Sequence, residues 1–280
     1  MRNNMEIRYL CPYWGCEAMS ASEFLNRALA HGYDGVEINF PHDDQFIAEF
    51  QAACATIRST SHPHFMVIAQ NVVSPSEKGM ADYTARLIDR LEMVASLQPY
   101  AINSHTGKDY YSFSENCQII ETTQQIAKKT GIPIWHEIHR GRFSFHLKTV
   151  LDYLEVFPAL GLVADYSHFC VVSESTLHDQ QAHLDRLTPF VKHLHARIGF
   201  EQGPQVNHPF APEWESYRRL YLKWWRAIVA FHEKQHCSIF TVTPEFGPYP
   251  YMPSAPFTQQ PLASQWDINL EMKQFLQQHL

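Results

Sequence analysis

Residues 131–142 read GIPIWHEIHRGR, which sets a carboxylate, Glu137, between two histidines at the end of an apolar, β-branched run and follows it with two arginines. Polar groups taken out of water without partners cost roughly 2–7 kcal/mol each. A charged cluster closing a buried run therefore asks for something to neutralise it. Three later segments repeat the pattern. LVADYSHF places Asp165 after apolar residues with His168 three further on, VKHLHARIG alternates His193, His195 and Arg197, and FTVTPEFGP puts Glu245 behind a proline where a strand must finish. Alternating residues of a strand project to one side, so the two histidines and the arginine share a face.

Each residue alone has an ordinary explanation: a strand-end Asp caps the next turn, a single His is satisfied inside a core, and a Glu after Pro faces solvent. Jointly they resist it, because buried charges must be paired or coordinated. Carboxylates with one imidazole and no thiolate suit a divalent ion such as Mn, Mg or Co over a structural zinc, while His195 keeps zinc open.

These residues need elements that bring their ends together. Short runs rich in Val, Ile, Phe or Tyr occur at 7–13, 35–40, 65–70, 100–104, 132–138, 161–166, 191–196 and 238–244. Between them, SASEFLNRALAHG opens on a serine cap and stops at Gly32, and 76–97, 114–131 and 214–235 carry apolar residues at three- and four-residue spacing. Strand-then-helix alternation repeated about eight times predicts an α/β chain forming one (β/α)8 TIM barrel. The expected domain is residues 1–280, with the site at the carboxyl ends of strands five to eight. An open doubly wound sheet is the rival, and the turn after its first strand, CPYWGCEAM, lacks the Gly-rich phosphate signature.

Composition excludes some functions. A formal net charge of -7 over 280 residues, with no Lys/Arg run, opposes nucleic-acid binding. The opening MRNNMEIRYLCPYW lacks the apolar core of a signal peptide, and no stretch reaches the roughly 20 apolar residues of a membrane span, so the chain reads as cytoplasmic with no membrane partner. Six scattered cysteines without a C-x-x-C pair read as reduced thiols.

The set Glu137 in HEIHRGR, Asp165 and His168 in D-x-x-H, His195 in H-L-H and Glu245 in PEFGP resembles the xylose-isomerase-like (β/α)8 superfamily, in particular the sugar and sugar-phosphate isomerase/epimerase branch with tagatose epimerase and hydroxypyruvate isomerase. The resemblance spans nearly the whole chain in element order. It implies that Glu137, Asp165, His195 and Glu245 hold one divalent metal, Mn first, with Mg, Co or Zn as alternatives. It further implies that Glu137 and Glu245 are the catalytic acid/base pair, that His168 and Arg197 contact substrate hydroxyls, and that His193 packs behind the site. The substrate would be a small sugar, sugar phosphate or related polyhydroxy carbonyl compound, and homo-oligomerisation stays open. Interconverting such compounds removes a proton from carbon, which a metal on the carbonyl and carboxylates on either side make feasible.

Other residues at or near strand ends are His105, Lys108 and Asp109 in NSHTGKDYYS, with Trp14, Glu37 and His64; His105 is taken as a substrate contact. Arg140 and Arg142 hold an anion or pair with helix-face acids, and the second is preferred because no phosphate loop is evident. The long loop RIGFEQGPQVNHPFAPEW departs from the short Arg-bearing turn of the epimerases and reshapes the pocket mouth. A dehydratase using the same metal and bases is the first alternative. An apurinic-endonuclease-type DNA repair enzyme is the second, hinted at by His62, His64 and His105 and opposed by the charge.

Overall fold

The structure is a computed structural model in which residues 5–75 and 78–280 are described. Among the described residues the parallel strands close in sequence order into an eight-stranded barrel, the (β/α)8 architecture that the alternation predicts. The chain divides into two compact units, one of Leu10–Ser144 and one of the N-terminal residues through Tyr9 with Phe145–Leu280. Strand β1 (Glu6–Pro12) belongs to both.

The Leu10–Ser144 unit continues with α1 (Ala21–Ala30), β2 (Gly35–Ile38), α2 (Asp44–Thr60), β3 (Met66–Asn71), α3 (Met80–Ser96), β4 (Ala101–Ser104), α4 (Phe113–Thr130) and β5 (Ile134–Glu137). Its strands pair in parallel from the second half of β1 through β5. All four residues of β2 and of β4 are buried, the continuous pattern of strands covered on both faces. Helix α1 begins at the expected Ser20, in a reciprocal capping box with Glu23. Helix α4 begins one residue before the expected segment, because Ser112 and Glu115 form the same box, and ends at Gly131 in the left-handed conformation, φ 74°. Helix α3 turns Tyr83, Leu87, Leu91, Val94 and Ala95 inward, as its spacing predicts; Ser76 and Glu77, the first residues of that expected segment, lie outside the described residues.

The other unit pairs the first half of β1 with β8 (Ile239–Thr243), and β8 with β7 (Val191–His195), which pairs with β6 (Gly161–Ala164). Around these strands lie α5 (Leu147–Val156), α6 (Tyr166–Ser173), α7 (Gln181–Leu187), α8 (Glu215–Lys234) and α9 (Gln265–His279). Helix α8 buries Tyr221, Trp224, Trp225, Ile228 and Val229, each such side chain contributing about 1.5–3 kcal/mol on removal from water.

Strand β5 is shorter than the 132–138 run. Pro133 has no N–H to add to a ladder, although its carbonyl accepts from Ile102 N–H at 2.8 Å, and Glu137 becomes the last residue of the strand. Among the described residues no helix is long and apolar enough to cross a membrane.

Candidate active site

In the unit built on β6, β7 and β8, five of the predicted residues come together. Asp165 directly follows β6 and caps α6: one carboxylate oxygen accepts from Ser167 N–H at 3.1 Å and from the Ser167 hydroxyl, and the other meets Arg197 Nη2. Arg197 lies two residues beyond β7 and is 1% exposed, so its charge must be answered locally. It is: besides Asp165, its Nε donates to Ser167 Oγ at 3.3 Å, its Nη1 lies 3.6 Å from Glu245 Oε2, and its plane stacks 4.7 Å from the Tyr251 ring. Nη2 also approaches His168 Nε2 at 2.9 Å. Arginine is always a donor, so this nitrogen of His168 is the accepting one.

His193 and His195 take one face of β7, beside Thr241 and Thr243 of β8. The His193 ring is held by both threonine hydroxyls, at 2.7 and 3.0 Å, which fits its expected place behind the site. His195 Nδ1 instead stands 2.8 Å from Glu245 Oε2. Asp165, His195 and Glu245 are all buried and offer ligand atoms within 4.8 Å of one another.

Glu245 sits where β8 has ended, and two buried amides fix the chain just after it. Asn269 of α9 accepts from Phe246 N–H at 2.8 Å and donates to the Phe246 carbonyl at 3.0 Å. Gln205 does the same for Gly247, at 2.7 and 3.1 Å. Gln205 comes from the long loop after β7, so that loop positions the site as well as bordering it.

In the unit that contains β2 to β5, Glu137 ends β5 at 2% exposure. Its Oε2 accepts from Asn103 Nδ2 at 2.7 Å and stands 2.9 Å from His105 Nε2, so His105 is brought to the predicted glutamate. The same Asn103 nitrogen donates to Glu37 Oε1 at 2.9 Å, and Gln70 Nε2 reaches that oxygen at 3.2 Å. One amide thus bridges two buried carboxylates. His139 joins from the loop beyond β5, its ring 4.5 Å from that of His105, and His105, Glu137 and His139 offer ligand atoms within 4.8 Å. His136, the other histidine of HEIH, accepts or donates at Thr106 Oγ1 over 2.8 Å, and burial pushes its pKa down to about 3, leaving it neutral.

Two sequence expectations need correction. His64 precedes β3 and is exposed, as is His62, so His64 stands at the amino end of a strand. Arg142 does not pair with a helix-face acid: its Nη1 donates to the Val73 carbonyl at 3.4 Å and its charge acts on the neighbouring Tyr83 phenol. Asn103, Gln70, Tyr251, Asn269 and Gln205 were not anticipated. None of the five is marked locally in the sequence: Asn103, for one, stands beside a second polar residue, Ser104, in AINS.

The family model described as the xylose isomerase-like TIM barrel matches residues 25–220. No protein of curated function matches the sequence significantly. Among solved structures, the probable 3-DHS dehydratase AsbF of Bacillus anthracis, involved in petrobactin synthesis, superposes with a TM-score of 0.64 at 14% identity over 97% of this chain and 99% of that one. The 3-keto-D-glucoside 4-epimerase YcjR of E. coli gives 0.63 at 13% identity, over 98% and 100%. The IolI protein with a bound zinc atom gives 0.63 at 14% identity, over 98% and 99%. At such identities the likeness shows the shared fold.

Proposed function

The chain belongs to the xylose isomerase-like TIM barrel family, and from that premise we propose that it is a divalent-metal-dependent isomerase or epimerase of a small polyhydroxy carbonyl compound, a sugar or sugar phosphate. The observation that carries this reading is the buried cluster of Asp165, His195 and Glu245. Arg197 touches both carboxylates but brings one positive charge to two acids, and their ligand atoms converge with that of His195 on one point that a divalent cation would complete. Their donor types suit Mn, Mg or Co, with Zn open through His195, and Mn is the first choice. Glu137, ending the strand that precedes β6 in the barrel order, is assigned as the fourth ligand.

The ion would draw electron density from a substrate carbonyl and its neighbouring hydroxyl, acidifying the C–H between them. The chain's own residues do the rest. Glu137 removes the carbon-bound proton, and Asn103 and His105, both on Oε2, fix its orientation. Glu245 serves the opposite face of the substrate as acid or base, held by the two amide clamps behind it. His168, Arg197 and His105 hydrogen-bond substrate hydroxyls.

The test is to strip the full chain of metal, reload it with Mn, and follow aldoses and ketoses by mass and chirality. A metal-dependent isomer of unchanged mass supports the reading. Loss of water would assign a dehydratase instead, a chemistry that the similarity to AsbF keeps in view. No metal-dependent turnover across the panel would sink both.

A further inference from the structure

Of the four buried lysine and arginine side chains that the scheme leaves unused among the described residues, two stand in the loops after β4 and β5. Lys108, in the loop after β4, and Arg142, in the loop after β5, are 3% and 8% exposed. Charged groups are seldom buried without an acid beside them. Here, among the described residues, no carboxylate bonds either one. Lys108 Nζ lies 5.1 Å over the Tyr83 ring, and the acid whose field reaches it is its exposed neighbour Asp109. Arg142 spends Nη1 on the Val73 carbonyl and its charge acts on the neighbouring Tyr83 phenol, while its buried Nε has no hydrogen-bond partner. Burial first, then the like charges of Arg142 and Arg86, push the Lys108 pKa down to about 8, which still leaves it mostly protonated at neutral pH.

The loop holds this arrangement firmly. Asn116 accepts from Lys108 N–H at 3.1 Å and donates to the Lys108 carbonyl at 2.8 Å. Gly107, φ +65°, lets the chain pass so close to Asn116 that an added Cβ would meet its Oδ1 at 2.2 Å. The hydroxyl of Tyr83, whose ring lies under Lys108 Nζ and whose phenol feels the charge of Arg142, donates to the carbonyls of His105 and Gly107 at 3.1 and 3.3 Å. The cation pair is therefore tied to the segment that carries His105, 2.9 Å from Glu137. A lysine kept for solubility would be neither covered nor clamped.

We propose that Lys108 and Arg142 form an anion subsite beside Glu137, which takes a carboxylate or phosphate group carried by the substrate. The placement of the reacting carbon at Glu137 rests on the function proposed above; the anion site itself does not. A guanidinium Nε–H and an ammonium, both beside Tyr83 and close enough for their charges to act on each other, match either anion, since both anions present adjacent oxygens to such donors. The substrate class narrows to anionic polyhydroxy carbonyl compounds.

Calorimetric binding of D-fructose, D-fructose 6-phosphate, D-fructuronate and inorganic phosphate to the metal-free full chain, at fixed ionic strength, tests this. The expected result is that an anionic sugar binds about ten- to a hundredfold more tightly than fructose, the range of one or two charge-assisted hydrogen bonds. Preference for the 6-phosphate alone names phosphate; preference for the uronate names carboxylate. The preference should collapse in Lys108→Met and in Arg142→Gln. Should Arg142→Gln fail to fold, Lys108→Met, which keeps the apolar stem, carries that arm, and the wild-type comparison needs neither variant. Equal affinities in the wild type, no binding of any anionic probe, or a preference undiminished in the variants would overturn the subsite. If the preference stands and Mn-dependent turnover is absent, the proposed reaction fails and the anion site survives.

Discussion

Replacing Lys108 by methionine should make the ligand-free protein more stable. The folded state holds this ammonium at a pKa of about 8 against 10.5 for an ordinary lysine, a difference of about 2.5 units. At about 1.36 kcal/mol per unit that is a ceiling near 3 kcal/mol of destabilisation at neutral pH. The side chain is covered, at 3% exposure, yet lies in a surface loop where solvent polarisation still screens it, so about 1–3 kcal/mol is the expected gain. Methionine keeps the apolar stem over Tyr83 and removes the charge.

The sign of the pH dependence follows from the direction of the shift. Below about pH 8 both states hold the proton and the full penalty stands. Between 8 and 10.5 the unfolded chain holds a proton that the folded chain has released, so wild-type stability rises with pH; above 10.5 the penalty is gone. The variant lacks this dependence. Urea unfolding of both proteins at pH 7, 9 and 10.5, without metal and at fixed ionic strength, should show the gap closing as pH rises. In thermal scans at pH 7 the gap corresponds to about 2–6 °C for a chain of this size. Saturating phosphate should narrow it by stabilising the wild type alone. A variant less stable than wild type at pH 7, or a gap that does not change with pH, would refute the reasoning and make Lys108 a structural residue.

Asp165→Asn should keep the cap on α6 but weaken Mn binding by at least about tenfold, read by titration of the metal-free protein; unchanged affinity would remove Asp165 from the ligand set. Glu245→Gln should retain much of its metal while turnover falls by about 10²–10⁴-fold, and a variant that loses neither would demote Glu245 to a bystander. In Glu137→Gln, exchange of the substrate's carbon-bound proton with deuterated solvent should cease even with metal saturating, whereas Glu245→Gln should preserve it from one epimer while blocking net conversion. Undiminished exchange in Glu137→Gln would rule it out as the base.

Strand order, most helix positions and five of the residues gathered by β6 to β8 were legible because their signals are local. Apolar runs, a serine three residues before a glutamate, and a charge at the end of a run all act within one element. The supporting amides were not legible. Asn103, Gln70, Gln205 and Asn269 are uncharged, stand alone in their segments, and acquire a role only when the fold sets them beside Glu37, Glu137 or the backbone after Glu245. Tyr251 is one of many tyrosines until its ring meets Arg197.

Charge itself was misread where its partner was assumed. In HEIHRGR the two histidines flank Glu137 symmetrically in sequence, yet the pleat sends His136 to Thr106, where burial keeps it neutral, and the turn beyond β5 brings His139 to His105. Arg142 was assigned to an acid on a helix face because no phosphate loop is evident in the sequence. Its burial reverses that expectation: an exposed guanidinium can find an acid on any neighbouring helix, while a covered one depends on the few groups in its walls. Those that act on it are the Val73 carbonyl, the Tyr83 phenol and, through its charge, a second cation, Lys108. Of the three, the carbonyl and the phenol are dipoles that solvate the guanidinium without cancelling its charge, and the lysine adds to it. Neutralising both calls for an anion, the reading of Arg142 that the sequence offered second and that its burial beside Lys108 now favours.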